Sequence, residues 1–210
     1  KSALKGKNII FLGSSVTYGA ASQGISFADY ICQRNGCHMI KEAVSGTTLV
    51  DDRDDSYISR LRTIREECAD LFVCPLSTKD ATQKKPLGSV GDAEEISGFD
   101  TNTVAGAIGY IIQYVTDKWH CPVVFYTNPK YESEAYGQMV AMLCRLSEKY
   151  GFPIINLWDD DDFNNITEEE RKLYMADPIH PTKAGYLTWW VPYFEKELVK
   201  QTVLLKETEE

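Results

Sequence analysis

The chain has 210 residues, of which 43% are apolar and 25% charged, a mass of 23.7 kDa and a formal net charge of −9 at pH 7. This length accommodates one domain with a substantial core, so we expect a single globular domain over residues 1–210. The acidic balance argues against an extended phosphate-binding surface, and therefore against nucleic acid as a partner.

Membrane and secretory signals are the next features to consider. No apolar run approaches the ~20 residues that a helix needs to cross a bilayer. The positively charged N-terminal residues precede an apolar run of only Asn8–Leu12, so the chain as given contains no secretory signal, although one removed earlier would leave no trace. The six cysteines form no Cys-x-x-Cys pair. We therefore expect reduced cysteines and a cytoplasmic location, with disulfides as the open alternative.

Short apolar runs alternate along the chain with longer amphipathic segments. The runs are rich in Val, Ile and Phe and predict buried strands at Asn8–Leu12, His38–Val44, Leu71–Leu76, Pro122–Thr127 and Pro153–Leu157. Because proline cannot donate a ladder hydrogen bond, Pro75 predicts that regular pairing of the third strand ends near Cys74. Strands alternating with helices predict an α/β, flavodoxin-like fold, in which a five-stranded parallel sheet lies between two helical layers.

The amphipathic segments predict the helices of these outer layers. Apolar residues recur at helical spacing over Val104–Val115 and again over Met139–Tyr150. A capping-box pattern predicts a short helix within Thr167–Met175. An aromatic stripe after Pro181 predicts a final helix, which Pro192 is expected to kink or interrupt.

Three segments do not follow the strand–helix alternation. Residues 77–100 are rich in Gly, Lys and Asp and show little periodicity, which predicts a long loop of the kind that serves as a lid or binding loop. Residues 1–7 and 203–210 are predicted to be flexible ends.

Polar residues follow several of the predicted strands. Ser15 follows the first strand, Gly46 the second and Lys79 the third, while Asn128 follows the fourth and is predicted to line the pocket. The loop Asp177–Pro181 opens the final helix. Ligands of an open parallel sheet bind beyond the carboxyl ends of its strands, so we expect these residues to converge at one edge.

Three of these residues fit the chemistry of an activated serine. A serine hydroxyl becomes nucleophilic when a neighbouring base removes its proton, and histidine has a suitable pKa. A carboxylate bound to the other ring nitrogen fixes the histidine tautomer. Asp177 precedes His180 by three residues and can reach its ring within one turn, so we predict Ser15 as nucleophile, His180 as general base and Asp177 as orienting acid. Each motif alone is also typical of an ordinary connection or surface loop.

Two stretches at opposite ends of the chain resemble the SGNH, or GDSL, hydrolases, a family of GDSL-like lipases and acylhydrolases. FLGSSVTYG resembles the first family block, with Ser15 at the nucleophile and Ser14 where the family usually has aspartate. DPIHPTKAGY matches the last block, including the Asp177–His180 pair. The order and spacing of the blocks extend over residues 8 to 194, nearly the whole chain.

Of the two middle blocks, the second also resembles the family and the third departs from it. AVSGTTL resembles the second block, whose glycine, here Gly46, lends a backbone N–H to the oxyanion hole together with the N–H of Ser15. The third block ends Ser-Thr-Lys-Asp where the family usually has Gly-Thr-Asn-Asp, which puts Ser77 at the glycine and Lys79 at the asparagine that donates to the oxyanion. Losing such a donor costs on the order of 10²–10³ in turnover. Lysine can also donate, but from a long flexible stem, and the alternative is that Lys79 points into solvent.

The resemblance implies an esterase, lipase or carbohydrate deacetylase that acts on a small-molecule ester and uses no cofactor and no metal. Two other functions stay open. One is a binding protein that keeps the fold but has an impaired oxyanion hole. The other is a flavodoxin-like phosphate or flavin binder, for which Ser14, Ser15 and Thr17 would supply donors, but which would give the Asp177–His180 pair no role. The sequence selects no acyl group, alcohol or oligomeric state.

Overall fold

The computed structural model describes residues 2–209, apart from the side chains at positions 206, 208 and 209. Its strands are β1 Asn8–Gly13, β2 His38–Ala43, β3 Leu71–Pro75, β4 Val123–Tyr126 and β5 Ile154–Ile155. Within this part of the chain they form one parallel sheet in the order β2–β1–β3–β4–β5. The prediction of a flavodoxin-like sheet is therefore confirmed. The chain switches direction across the sheet between β1 and β3, which is where ligands bind in such folds.

The helices lie on both faces of the sheet, as expected for parallel strands joined by crossovers. In chain order they are α1 Ser15–Tyr18, α2 Phe27–Asn35, α3 Tyr57–Leu61, α4 Thr78–Thr82, α5 Val104–Trp119, α6 Glu134–Tyr150, α7 Asp161–Asn164, α8 Glu168–Tyr174 and α9 Val191–Glu209. Side chains of α2 and α9 pack in the core on one face, and those of α3, α5 and α6 pack in the core on the other.

Strand β1 shows how one apolar run supplies both cores. Its side chains alternate between the two faces of the sheet because successive strand residues point in opposite directions. Ile9 and Phe11 enter the core beneath α2 and α9, whereas Ile10 and Leu12 enter the core beneath α3, α5 and α6. All four side chains are fully buried. This two-sided burial explains why the predicted strands are continuous apolar runs.

Strand β3 ends close to Cys74, as Pro75 predicts. Its pairing with β4 extends one residue past Cys74, because Pro75 is in register with Tyr126 of β4. The N–H of Leu76 donates to β4, so the nitrogen of Pro75, one residue earlier, faces β1. The register between β1 and β3 has already ended at Val73. The missing donor of the proline therefore falls where the neighbouring strand no longer pairs.

The predicted final helix is interrupted next to Pro192, as expected. A π-helical segment, Gly185–Trp190, leads directly into α9 at Val191. In a regular helix, Pro192 would lack a hydrogen bond and its ring would press against the carbonyl four residues earlier. The wider π turn ends just before this point, so the helix continues beyond the proline. The aromatic stripe stays buried, with Trp190 and Phe194 fully inside.

The irregular segments carry more structure than their composition suggests. The segment 77–100 begins with α4 and is tied to α5 by the N–H groups of Val104 and Ala105, which donate to the carbonyls of Pro86 and Leu87 within the segment. Leu4 is fully buried, and α9 extends through most of the predicted flexible C-terminal end. Lys1 and Glu210 lie outside the described residues.

Two further findings concern the whole described chain. Over residues 2–209, no helix combines the length and the apolar character needed to cross a bilayer. The six cysteines, which all fall in this range, are free thiols. The cytoplasmic location stays a prediction.

Candidate active site

The turn between β1 and α1 carries Ser15 at the carboxyl edge of the sheet. This turn is tight, since a Cβ atom added to Gly13 would lie 2.0 Å from Oγ1 of Thr17. Glycine is therefore required at position 13 for the strand to pass directly into α1. The Thr17 hydroxyl is in turn hydrogen-bonded to the hydroxyl of Tyr126 on β4, at 2.6 Å. The turn that carries Ser15 is thus held by the close approach of Gly13 and Thr17 and by a hydrogen bond to β4.

Ser14 occupies a buried position beside the candidate nucleophile. Its side chain is 7% exposed, and its Oγ accepts a hydrogen bond of 3.3 Å from the hydroxyl of Tyr57. Burial raises the pKa of Tyr57 well above its ordinary value, which keeps this hydroxyl neutral. A neutral serine–tyrosine pair therefore stands where the family usually has a carboxylate.

Ser15, His180 and Asp177 form a continuous chain of hydrogen-bonding groups. Ser15 Oγ lies 2.9 Å from Nε2 of His180. The other ring nitrogen, Nδ1, lies 2.8 Å from Oδ2 and 3.0 Å from Oδ1 of Asp177. Ser15 and His180 are 165 positions apart in the chain. The fold therefore brings the three predicted residues together, with His180 within hydrogen-bonding distance of both Ser15 and Asp177.

The Asp177 carboxylate is held mainly by its own loop. Its Oδ1 accepts hydrogen bonds of 2.8 Å from the backbone N–H groups of both Ile179 and His180. Burial alone would raise the pKa of Asp177, but these two bonds and the His180 ring outweigh burial and lower the pKa. The carboxylate is consequently ionised at neutral pH, as a group that orients and stabilises an imidazolium must be.

Asn128 is hydrogen-bonded to the loop that carries Asp177 and His180. It was predicted to line the pocket, but it is 1% exposed, and its Nδ2 donates to the carbonyl of Ile179 at 3.2 Å. Its own backbone N–H donates to the Tyr136 hydroxyl at 2.8 Å, which anchors Asn128 to α6. A residue from the end of β4 thereby helps to fix the residue that precedes His180.

The turn around Gly46 is the candidate second contributor to an oxyanion hole. Gly46 has a φ of +78°, a left-handed conformation that favours glycine. A Cβ atom added there would meet no atom within 4 Å, so open space adjoins this backbone. The following residue, Thr47, closes the turn through a 2.7 Å hydrogen bond from its Oγ1 to the carbonyl of Val44.

Lys79 lies in the first turn of α4 and is partly exposed. Its backbone N–H donates to Oγ of Ser77, whose hydroxyl donates to the Thr47 carbonyl at 2.7 Å. Ser77 therefore links the third-block loop to the Gly46 turn. In the described part of the chain, the Lys79 ammonium has neither an ion-pair nor a hydrogen-bond partner.

Two buried charged residues contact this loop, and neither was among the predicted site residues. Asp80 is 1% exposed, and its carboxylate accepts hydrogen bonds from the N–H groups of Leu49 and Val50 at 2.7 and 3.1 Å. Burial raises its pKa to about 6 despite these bonds. Arg60 is 8% exposed and contacts the Gly46 turn from α3. Asp80 could have been noticed as the last residue of the third block, whereas nothing in the local sequence distinguishes Arg60.

The model of the GDSL-like lipase/acylhydrolase family matches residues 11–187, a range that includes every candidate site residue. The chain belongs to this family. The signature that gives the family its name appears in this GDSL-like chain as Gly-Ser-Ser-Val over residues 13–16. The aspartate and the leucine of the family name are therefore both replaced, while the serine between them is kept.

Solved structures of GDSL-like and related proteins share the fold. A protein from Lactobacillus plantarum is 20% identical, with a TM-score of 0.73 over 93% of this chain and 96% of its own. A member of the lipolytic protein G-D-S-L family from Veillonella parvula is 13% identical, with a TM-score of 0.65 over 91% and 97%. A family two carbohydrate esterase from Clostridium thermocellum, solved with cellohexaose, is 12% identical, with a TM-score of 0.57 over 96% and 64%. No curated protein sequence matches significantly.

Proposed function

We propose that this GDSL-like protein is a serine esterase that hydrolyses carboxylic esters without a cofactor. The main support is the hydrogen-bonded series Ser15–His180–Asp177, with distances of 2.9 and 2.8 Å. Family membership supports an ester-acting hydrolase in general. The residues and the class of ester form the finer part of the proposal.

In the first half of the reaction, Ser15 Oγ attacks the ester carbonyl while Nε2 of His180 removes its proton. This requires Nε2 to be unprotonated and Nδ1 to carry a hydrogen, which the adjacent Asp177 carboxylate favours. Asp177 then stabilises the imidazolium that forms. The negative charge that develops on the carbonyl oxygen is held by the backbone N–H groups of Ser15 and Gly46, with Lys79 as a third donor.

In the second half, His180 gives its proton to the leaving alcohol and then activates a water molecule. That water attacks the acyl-Ser15 ester, and the acid is released with the serine regenerated. The substrate is an acyl or acetyl ester of a small molecule, a lipid or a carbohydrate. The carbohydrate esterase among the structural neighbours supports including sugar esters in this range.

Hydrolysis of p-nitrophenyl acetate by the wild type, Ser15→Ala and Ser14→Ala tests the nucleophile. We expect Ser15→Ala to lose about 10⁴–10⁶-fold in kcat because no other group replaces its oxygen. Ser14→Ala, the neighbouring control, removes only the contact with the Tyr57 hydroxyl and should lose less than about tenfold, as expected for one neutral hydrogen bond. A fluorophosphonate probe mapped by mass spectrometry should modify Ser15. Turnover that persists unchanged in Ser15→Ala would refute the assignment.

A second candidate, a binding protein with an impaired oxyanion hole, is favoured by Lys79 in place of asparagine. Lys79→Asn and Lys79→Met separate the two functions. A rise of about tenfold or more in kcat for Lys79→Asn alone would show that lysine impairs the hole, since one such donor is worth about 10²–10³-fold. A fall in both variants would show that the Lys79 ammonium acts as a donor. If the wild type turns over no short ester, the binding function is favoured. No observation favours the flavin or phosphate binder.

A further inference from the structure

The guanidinium of Arg60 is buried and fully hydrogen-bonded. Its Nη2 donates to the carbonyl of Gly13 and to Oγ1 of Thr47, both at 2.9 Å. Its Nη1 donates to the carbonyl and the carboxylate of Glu42 at 3.0 and 3.3 Å, and its Nε donates to the carbonyl of Asp55 at 2.9 Å. A guanidinium has five N–H donors in a rigid plane, and each of them has an acceptor here.

The two acceptors of Nη2 belong to two different backbone segments of the candidate site. Gly13 ends β1 and lies two residues before Ser15. Thr47 follows Gly46 directly, and its hydroxyl also closes the Gly46 turn. Nη2 of Arg60 therefore connects the backbone just before Ser15 to the turn that contains Gly46.

We propose that Arg60 is a positioning residue for the oxyanion hole, which sets the separation between the backbone N–H groups of Ser15 and Gly46. This inference rests on the proposed function, because it assigns those two N–H groups to the oxyanion. Arg60 does not contact the substrate. It acts through Gly13 and Thr47.

The far side of the Gly46 turn has separate supports. Ser77 binds the Thr47 carbonyl, and Asp80 binds the N–H groups of Leu49 and Val50. Without the Arg60 guanidinium this loop stays attached to α4, and its remaining backbone contact with β1 is the N–H of Val44, which donates to the Gly13 carbonyl at 3.2 Å. We expect the loop to stay folded and to shift relative to Ser15. A shift of about 1 Å in a catalytic site can cost on the order of 10²-fold in rate.

The shape of the guanidinium matters as much as its charge. Lysine would supply three donors from a single point on a flexible stem, and it could not serve Gly13, Thr47 and Glu42 in one plane. We therefore expect Arg60→Lys to rescue little of the rate that Arg60→Met loses. This distinguishes a requirement for geometry from a requirement for positive charge near the site.

Steady-state kinetics on Arg60→Lys and Arg60→Met test the proposal, with Arg62→Lys and Arg62→Met as matched controls. Arg62 directly follows the same short helix, but its side chain is about half exposed and contacts Tyr110. For the Arg60 variants we expect kcat per fluorophosphonate-titrated site to fall about 10²-fold, with KM changed less than about threefold, because the loss is confined to the transition state. The Arg62 variants should stay within about threefold of wild type, since they lose a surface contact.

Inhibition by phenylboronic acid provides a second measurement. Its adduct with a nucleophilic serine is tetrahedral and directs an oxygen into the oxyanion hole. Its Ki should rise across the wild type, Arg60→Lys and Arg60→Met in proportion to the loss of kcat, as for an analogue of the transition state. Normal kcat per titrated site and normal Ki, with only a lower melting temperature, would overturn the proposal and leave Arg60 a structural residue.

Amide hydrogen exchange of residues 44–50 gives a readout that needs no substrate. We expect faster exchange in this segment in Arg60→Met, with unchanged exchange in α5 and α6. Thr47→Val, a milder change that removes one Arg60 acceptor, should show the same effect to a smaller extent if Arg60→Met does not fold. Unchanged exchange in both variants would overturn the inference even if the wild type is an active esterase. If the wild type hydrolyses no ester, but exchange is faster in the variants than in the wild type, only the proposed function is overturned.

Discussion

The two sides of the candidate active site are held in different ways. On the acid–base side, the Asp177–His180 loop is organised by hydrogen bonds that Asp177 makes with residues two and three positions later. On the oxyanion side, the Gly46 turn depends on Arg60 and Asp80, which come from α3 and α4 and lie 13 and 30 residues from their partners. The first side is built locally, whereas the second is built by tertiary contacts.

The departures from the family pattern fall outside the acid–base side. A local loop tolerates little change, because each of its residues contributes to the same few hydrogen bonds. The oxyanion side distributes its support over Arg60, Ser77 and Asp80, so a change at one position leaves the others in place. Lys79 and Ser77, which differ from the family pattern, both lie on the oxyanion side. Ser14 also differs, and its partner is Tyr57 of α3.

Of the three changes that compare the two sides, Asp177→Asn on the acid–base side has the largest expected effect. The amide cannot stabilise the His180 imidazolium and favours the wrong tautomer, so kcat should fall about 10³–10⁴-fold. The measurement is kcat for p-nitrophenyl acetate at pH 7 to 8, with circular dichroism to confirm folding. A loss below about tenfold would mean that the 2.8 Å contact between Asp177 and His180 is not used in catalysis.

A smaller effect on stability is expected from Asp80→Asn on the oxyanion side. The pKa of Asp80 is raised from 3.8 to about 6 in the folded protein, so the folded state binds more protons than the unfolded state between these values. Stability therefore decreases as the pH rises through this range and is level above about pH 6. For a shift of this size, the change is about 3 kcal/mol as an order of magnitude.

Urea unfolding at pH 4, 5, 6 and 7 checks this expectation. The wild type should lose about 2 kcal/mol of this change relative to Asp80→Asn between pH 4 and 7, because other carboxylates affect both proteins equally. Asp177→Asn provides the opposite control. In the wild type, the lowered pKa of Asp177 contributes stability that is present at neutral pH and is lost as the pH falls through the folded-state pKa. The Asp177→Asn variant lacks this contribution. If the unfolding free energies of wild type and Asp80→Asn change with pH in parallel, burial does not raise the pKa of Asp80.

The smallest effect is expected from Asn128→Ala, which removes a tertiary support from the acid–base side. The loop keeps its internal hydrogen bonds and loses the one from Asn128 Nδ2 to the Ile179 carbonyl. We expect kcat to fall about three- to tenfold, the equivalent of one hydrogen bond of about 1 kcal/mol. Asn165→Ala, at an exposed position, is the control. A loss comparable to that of Asp177→Asn would mean that the acid–base side depends on tertiary contacts after all.

The sheet shows how far the fold could be read from patterns. Two-sided burial makes parallel strands such as β1 continuous apolar runs, so their positions and the flavodoxin-like class followed from hydrophobicity. The end of β3 was predicted only to within one residue, because whether Pro75 disturbs a ladder depends on which neighbouring strand its nitrogen faces. That direction is set by the register of β3 with β4 and β1. Short helices such as α4 and α7 were also missed, since four or five residues carry too little periodicity.

By itself, the sequence determined the class of fold, the family, and the candidate residues Ser15, Asp177 and His180. It could do so because a turn after a strand and an Asp-x-x-His loop are local patterns, readable without knowing what lies across the sheet. Only the tertiary structure identified Arg60 and Asp80 as the residues that hold the Gly46 turn. Their role depends on acceptors and donors brought together by the packing of α3 and α4 against the edge of the sheet, and no spacing in the chain encodes that contact.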